Sequence, residues 1–477
     1  MPSREIRWLF IILAAAALLR FTALGQESLW YDEAVSVSLA SHPAWDLFSG
    51  KIHDSGNPPL YFALLHGWLT LLGSPSEAAA RSLSALFGGL GILAAFVLAR
   101  RWAGSSVALT TAALLTFSPM HIYLSQEART FTLVILLTTL SFLFLEKLRS
   151  QPRIWDYSAY LIFSAALIYS HYYGFFVLLT QFVYLNLLPS PATPKRLRQN
   201  WIFLVVLVLF LPQIPVFLIQ QATPLPKENS ALHLLALPLN LTVGRTLVWR
   251  ESGMAAFALT EIAILALIAA PLWRGLKASR RHQPVLWFWL MGIPLAVLIV
   301  TIAISPILVD RYLSLILPAY VMVLGMGLLD LRSARPKFFL IVLAALAMVT
   351  AISLARYYML PQKDNWRGLC AYVKEHRRMS EPVLIYPDYV QIPYEYYSRD
   401  STNVYPLPRA LRNGSPKSNP DSARMVESLT AASGAWLIIG AESNLAGHLW
   451  PQSALPAMFP RSDEHDFLRL KLIHRWK

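Results

Sequence analysis

The stretch Pro59-Leu60-Tyr61-Phe62-Ala63-Leu64-Leu65-His66-Gly67-Trp68-Leu69-Thr70-Leu71-Leu72-Gly73 decides how this chain is arranged, because it either crosses a membrane or lies along one. It is apolar but short, carries His66 in mid-run and follows a second proline, Pro58. Around it, apolar runs of membrane-spanning length fall near 8–24, 78–99, 104–118, 128–146, 156–170, 172–188, 200–220, 255–272, 285–305, 310–329 and 338–356. If 59–73 spans, Arg100-Arg101 falls outside and the later basic loops change sides with it. If it lies on the outer surface as a juxtamembrane helix, Arg4/Arg7, Arg100/Arg101, Lys147/Arg149/Arg153, Lys195/Arg196/Arg198, Arg274/Lys277/Arg280/Arg281 and Arg332/Arg335/Lys337 all fall inside. Basic residues collect on the cytoplasmic side of membrane proteins, so the second arrangement is preferred. It gives about eleven spans of roughly 20 residues, a cytoplasmic N-terminus and an external C-terminus.

Composition agrees. Of 477 residues, 56% are hydrophobic and only 14% charged, with a mean hydropathy of +0.46. A water-soluble chain cannot bury that much apolar surface. The formal charge of +14 belongs to cytoplasmic loops rather than to a nucleic-acid surface. Cys370, the single cysteine, excludes an internal disulfide and a thiolate metal cluster. Arg4 and Arg7 before an apolar run read as a retained signal anchor, since no small-residue cleavage pattern follows. No Walker A, H-E-x-x-H or dinucleotide fingerprint is present, so no ATP-driven step is expected.

After Arg356 the chain turns polar, with Pro, Asn and Ser clusters. Short apolar runs at 383–386 and 435–439 read as buried strands, and 365–377 and 422–432 as helices. The expected fold is a polytopic α-helical membrane protein, 1–356, with surface helices in its first external loop and an external α/β domain, 357–477.

On that topology the external face receives polar residues from distant parts of the sequence. Asp32 and Glu33, in Trp30-Tyr31-Asp32-Glu33-Ala34, stand just past the first span. Acids at a membrane edge mark sites that handle ions, protons or polar substrates, although a helix cap also uses one acid. Asp54, before Asn57-Pro58-Pro59, either binds a ligand or satisfies its own loop. Arg81, near the start of the second span, either snorkels or holds a phosphate. Glu127 and Arg129, in Ser125-Gln126-Glu127-Ala128-Arg129, sit at the mouth of the next span, where a local salt bridge is the simpler reading. His171 and Tyr172 join two spans, as an interfacial aromatic belt also would. Arg311, with Lys227, Arg245 and Arg250, adds external positive charge suited to an anionic partner.

Leu29-Trp30-Tyr31-Asp32-Glu33, Asn57-Pro58-Pro59-Leu60-Tyr61, Arg81 with Ala85-Leu86-Phe87-Gly88, and Ser118-Pro119 through Arg129 resemble, in order and spacing, the C-type membrane glycosyltransferases. The similarity is to the dolichyl-phosphate-mannose protein mannosyltransferases and the bacterial aminoarabinose transferases, and it covers most of 1–330. Arg311-Tyr312-Leu313 with Pro318 is a looser match. The resemblance implies a polyprenyl-phosphate sugar donor, Asp32 as catalytic acid-base residue with Glu33 assisting, and Arg81, Glu127 and Arg129 around the donor phosphate and the acceptor. Glu127 departs from the family, whose second acidic motif places an aspartate differently, which leaves open a divalent metal on Asp32, Asp54 or Glu127. The function implied is inverting transfer of a hexose or pentose to a lipid, glycan or protein acceptor outside the cell (inner) membrane. The alternative is a polyprenyl-lipid or sugar flippase. Transporters hold their sites near the bilayer centre, whereas the charges here gather at the outer mouth.

Overall fold

A computed structural model describes residues 3–150, 152–188, 200–222, 236–244, 253–407, 420–440 and 455–477. The chain packs as two compact units, one of Met1–Leu24 and Leu39–Leu360, the other of Gly25–Ser38 and Pro361–Lys477.

The first unit is helical. Among the described residues, seven helices are long and apolar enough to cross a membrane: Glu77–Phe117, Phe131–Arg149, Trp201–Gln221, Ala258–Arg280, Val285–Ala303, Asp310–Ala334 and Pro336–Met359. Each apolar run read from the sequence is helical, but the expected span number does not carry over directly. The runs 78–99 and 104–118 form one element, broken where Gly104 takes φ 82°. Ser3–Phe21 carries Arg4, Glu5, Arg7 and Arg20 within its 19 residues, and Gly174–Leu187 has only 14. The ambiguous 59–73 stretch contains the helix Leu60–Leu72, whose 13 residues reach about 20 Å. That is shorter than the roughly 30 Å hydrocarbon layer.

Burial separates inner from outer helices. The most apolar window of Asp310–Ala334 is 89% buried, against 17% for Pro336–Met359. The helices Gly253–His282 and Leu317–Ala334 touch backbone to backbone, because a Cβ at Gly327 would lie 1.7 Å from the Pro271 carbonyl oxygen. Small residues permit such approach where no hydrophobic effect drives helices together. At Ser118-Pro119 one helix ends and Pro119–Ser125 begins, with the Ser118 hydroxyl accepting from the His121 N–H. The carbonyls left at such an end need donors. Arg20, fully buried, supplies them: its guanidinium donates to Leu115 O (2.9 Å) and Thr116 O (3.2 Å), and to His121 Nδ1 (2.9 Å).

The second unit holds a five-stranded sheet, β1 (Val383–Tyr386), β2 (Val404–Pro406), β3 (Gly434–Ile439), β4 (Arg461–Phe467) and β5 (Leu470–Trp476), in the order β2-β1-β3-β5-β4. β1 pairs in parallel with β2 and β3; β5 runs antiparallel to β3 and β4. Alternation along the strands builds a core on each face. Val383, Ile385, Trp436, Ile438 and Leu472 pack with Trp366, Leu369, Cys370 and Val373 of the helix Trp366–His376. Leu384, Leu437 and Ile473 pack with Met425 and Leu429 of Pro420–Ala431 and with Phe459. Both helices and the strands β1 and β3 lie where the sequence indicates. β4 does not announce itself, because Arg461-Ser462-Asp463-Glu464-His465-Asp466 is a charged edge strand whose polarity discourages pairing with other chains.

The segment Gly25–Ser38 is bound into this second unit by backbone contacts at successive residues. Glu27 accepts from the Gln362 N–H, Ser28 Oγ from the Arg367 N–H at 3.1 Å, and the Leu29 N–H donates to Tyr397 Oη at 2.6 Å. Tyr31 packs edge-on against Tyr389, ring centroids 4.7 Å apart.

Candidate active site

The helix Tyr31–Ala40 opens with both acids in its first turn. They are used differently. Glu33 is fully buried, and its Oε2 reaches back to the Trp30 N–H at 3.4 Å, the reciprocal half of a capping box. Its Oε1 lies 3.0 Å from Nζ of Lys363, itself only 7% exposed. Capping, the simpler reading of this pair, is therefore carried by Glu33. Asp32 stands part-exposed in the same first turn, where the helix dipole favours a carboxylate. Its carbonyl accepts from the Ser36 hydroxyl at 3.0 Å.

The remaining predicted residues belong to the helical unit. Asp54 and Arg129, both buried, pair at 3.8 Å. Asp54 Oδ2 accepts from Asn57 Nδ2 (2.6 Å) and from the Gly56 N–H (3.2 Å). Gln220 fixes this loop, donating to the carbonyls of Asp54 (2.7 Å) and Asn57 (3.1 Å), and its Oε1 accepts from the Tyr172 hydroxyl. Asp54, Arg129 and Tyr172 are thus joined through a glutamine that no motif in the chain singles out. The turn bearing Glu127 and Arg129 is held rigidly. Gln126 Nε2 donates to the carbonyls of Leu19, Arg20 and Thr22, Ser84 Oγ to Arg129 O at 3.1 Å, and Thr130 Oγ1 to Ser170 O at 3.0 Å. Glu127 is fully buried in that turn.

His171 is buried between the rings of Tyr173 and Tyr312, with centroids 5.1 and 4.9 Å away. Its Nδ1 accepts the Tyr173 N–H at 3.1 Å, which leaves the ring proton on Nε2. Burial, with Arg129 and Arg311 nearby, lowers its pKa from the usual 6.5 to about 3. His171 is therefore a neutral donor at physiological pH, rather than a cation or a base. Arg311 lies 5.8 Å from the Phe131 ring and 5.5 Å from that of Tyr312. Its neighbour Asp310 accepts from Asn240 Nδ2 at 2.6 Å. Arg81 is buried and donates to the Leu24 carbonyl at 2.6 Å. Lys227, Arg245 and Arg250 fall outside the described residues.

Two guanidiniums, Arg129 and Arg311, thus act on one neutral histidine. Arg129 is buried and paired with Asp54, Arg311 is half-buried, and the planar fork of each has a shape that suits phosphate. Among the described residues no group of three or more His, Cys, Asp or Glu side chains is placed to hold a metal ion. Asp54, a candidate metal ligand from sequence, is already engaged by Arg129, Asn57 and Gly56.

In both its motifs and its three-dimensional fold, the chain resembles the C-type membrane glycosyltransferases, which are polytopic membrane proteins. The family described as dolichyl-phosphate-mannose-protein mannosyltransferase matches residues 56–219. ArnT from Cupriavidus metallidurans in the apo state is similar at 15% identity and a TM-score of 0.58, over 99% of this chain and 98% of that one. The same protein bound to undecaprenyl phosphate gives 16% identity and 0.55, over 98% of each chain. An Archaeoglobus fulgidus oligosaccharyltransferase gives 12% and 0.55, over 93% of this chain and 70% of that one. No sequence relative is found among the curated proteins.

Proposed function

We propose that the protein transfers a sugar from a polyprenyl-phosphate donor to an acceptor hydroxyl on the external face of the membrane, with inversion at the anomeric carbon. The observation that carries this reading is the division of labour at the acid pair. Glu33 is committed to Lys363 and to the Trp30 N–H, while Asp32 stands part-exposed in the first turn of its helix. A positioned carboxylate of that kind is suited to general-base work.

The chemistry is a single displacement. The acceptor hydroxyl gives its proton to Asp32 as its oxygen bonds to the anomeric carbon, and the bond from that carbon to the phosphate oxygen breaks. Charge then grows on the departing polyprenyl phosphate. Fixed donors aimed at developing charge lower the barrier most; within the helical unit, Arg129, Arg311 and neutral His171 are groups of that kind. Arg81 and Glu127 contribute to holding donor and acceptor. The undecaprenyl phosphate bound to ArnT is a polyprenyl phosphate without a sugar, the chemistry of the lipid product expected here. The external site follows from the basic loops, which the positive-inside pattern assigns to the cytoplasm.

The test is incubation of purified protein with a radiolabelled polyprenyl-phosphate sugar and an extract of envelope acceptors. Release of free polyprenyl phosphate with label in the acceptor supports the transferase. Movement of intact donor across a vesicle membrane without bond cleavage would sink it in favour of a flippase.

A further inference from the structure

We propose that Lys363 is a positioning residue for Asp32, acting through Glu33, so that the segment following the last apolar helix sets the geometry of the reacting carboxylate. This rests on the transferase reading above and deepens it.

Glu33 is fully buried, and its counter-ion comes from the other end of the chain: Lys363 Nζ at 3.0 Å. A carboxylate stripped of water is tolerated only when paired and hydrogen-bonded. The second oxygen of Glu33 is spent on the Trp30 N–H, at the start of the turn that carries Asp32. The ammonium therefore grips the same turn that presents the proton acceptor. Lys363 is itself held in register. The preceding Gln362 N–H is taken by Glu27, and Arg367 binds Ser28 Oγ through its N–H and the carbonyls of Gln26 and Gly25 through its guanidinium. Two segments thus interlock residue by residue around one buried ion pair. Without the ammonium, buried Glu33 loses the cation that lies 3.0 Å from its Oε1. It must then take up a proton or turn toward water, and either change moves the first turn of the helix. Misplacing a reacting group by about 1 Å costs on the order of 10²-fold in rate.

The experiment compares the full-length purified protein with Lys363→Met, Lys363→Arg, Glu33→Gln and the Lys363→Met/Glu33→Gln double variant, using a polyprenyl-phosphate sugar as probe. Asp32→Asn runs alongside. The expected result is a kcat lowered by about 10- to 100-fold in Lys363→Met, with the KM for donor little changed. Arginine should restore most of the rate. The double variant should exceed Lys363→Met, because neutralising residue 33 removes the buried charge that the ammonium served. A wild-type kcat in Lys363→Met, a loss that appears only in KM, or no rescue by either arginine or the double change overturns the proposal. If Lys363→Met does not fold, Lys363→Arg and the double variant decide in the same way. Full activity in Asp32→Asn instead overturns the transferase assignment of Asp32, whereas an inactive Asp32→Asn beside an unaffected Lys363→Met overturns the role of Lys363 alone.

Discussion

Arg129 and Asp54 form a buried ion pair at 3.8 Å, although a turn between two helices carries the one and the first long loop the other. Both side chains are almost wholly withdrawn from solvent, at 7% and 6% exposure, so removing either takes an opposite charge from a group that water does not reach. Asp54→Ala is expected to cost about 3–5 kcal/mol of stability, the usual penalty for breaking a buried ion pair from one side. A melting temperature in detergent equal to that of the wild type would show that Arg129 is compensated elsewhere. Arg129→Lys keeps the charge but loses the planar fork. It should weaken polyprenyl phosphate binding about 10- to 100-fold, the worth of one charge-assisted hydrogen bond, as read by titration calorimetry.

Asp32→Asn removes the proposed proton acceptor while keeping shape. Transfer should fall by about 10²- to 10⁴-fold with the folded state intact. Glu33→Gln should cost less in rate, since its carboxylate holds the helix start rather than the proton. Equal losses in the two variants, measured as kcat on purified protein, would contradict the division of labour.

His171 gives a pH prediction with a definite sign. Its folded pKa, about 3, lies below its ordinary 6.5, so below pH 6.5 the unfolded chain binds a proton that the folded chain refuses. The stabilisation is complete above pH 6.5 and is lost as pH falls toward 3, with a limiting slope of about 1.4 kcal/mol per pH unit. Melting temperatures from pH 7 to pH 4 should fall less steeply for His171→Gln than for wild type; parallel curves would mean the ring is protonated in the fold. Over pH 5–8 the activity profile should carry no titration from this ring.

Arg20→Leu leaves the Leu115 and Thr116 carbonyls and His121 Nδ1 without the guanidinium that now serves them. Leu115 O keeps the Ser118 N–H and His121 Nδ1 the Ser125 hydroxyl, but a buried acceptor that loses its donor costs about 1–3 kcal/mol, so the variant should express poorly and melt early. Thermal scanning alongside Arg20→Lys, which retains part of the donor set, tests this.

Gly327→Val should abolish assembly of the helical unit, because the added Cβ meets backbone at Pro271 rather than a side chain able to move. Monodisperse elution of that variant on size exclusion would refute the close helix contact.

Much of the architecture was legible in the chain because the bilayer imposes a simple rule. A run of apolar residues becomes a helix, since no other local structure satisfies its backbone in lipid. The acid pair, the Asn57-Pro58-Pro59 turn and the Arg129 turn were legible as well, since they combine charge with motif order. Gln220 and Lys363 were not. Gln220 ends an apolar helix, and Lys363 lies in the polar run Pro361-Gln362-Lys363-Asp364-Asn365. Neither has periodicity or a motif to distinguish it from ordinary surface. His171 was visible, but its state was not: burial and two arginines make it neutral, and the sequence reports neither.

By itself the sequence determined where the helices form, which residues are charged at their ends, and where the strands β1 and β3 fall, because each follows from local hydrophobic pattern. Only the tertiary structure decided that Gly25–Ser38 packs with Pro361–Lys477, and that Glu33 is the fully buried strut and Asp32 its part-exposed neighbour. Two adjacent carboxylates are chemically alike in a sequence. They become different only when one is fully buried against an ammonium from the far end of the chain and the other is part-exposed.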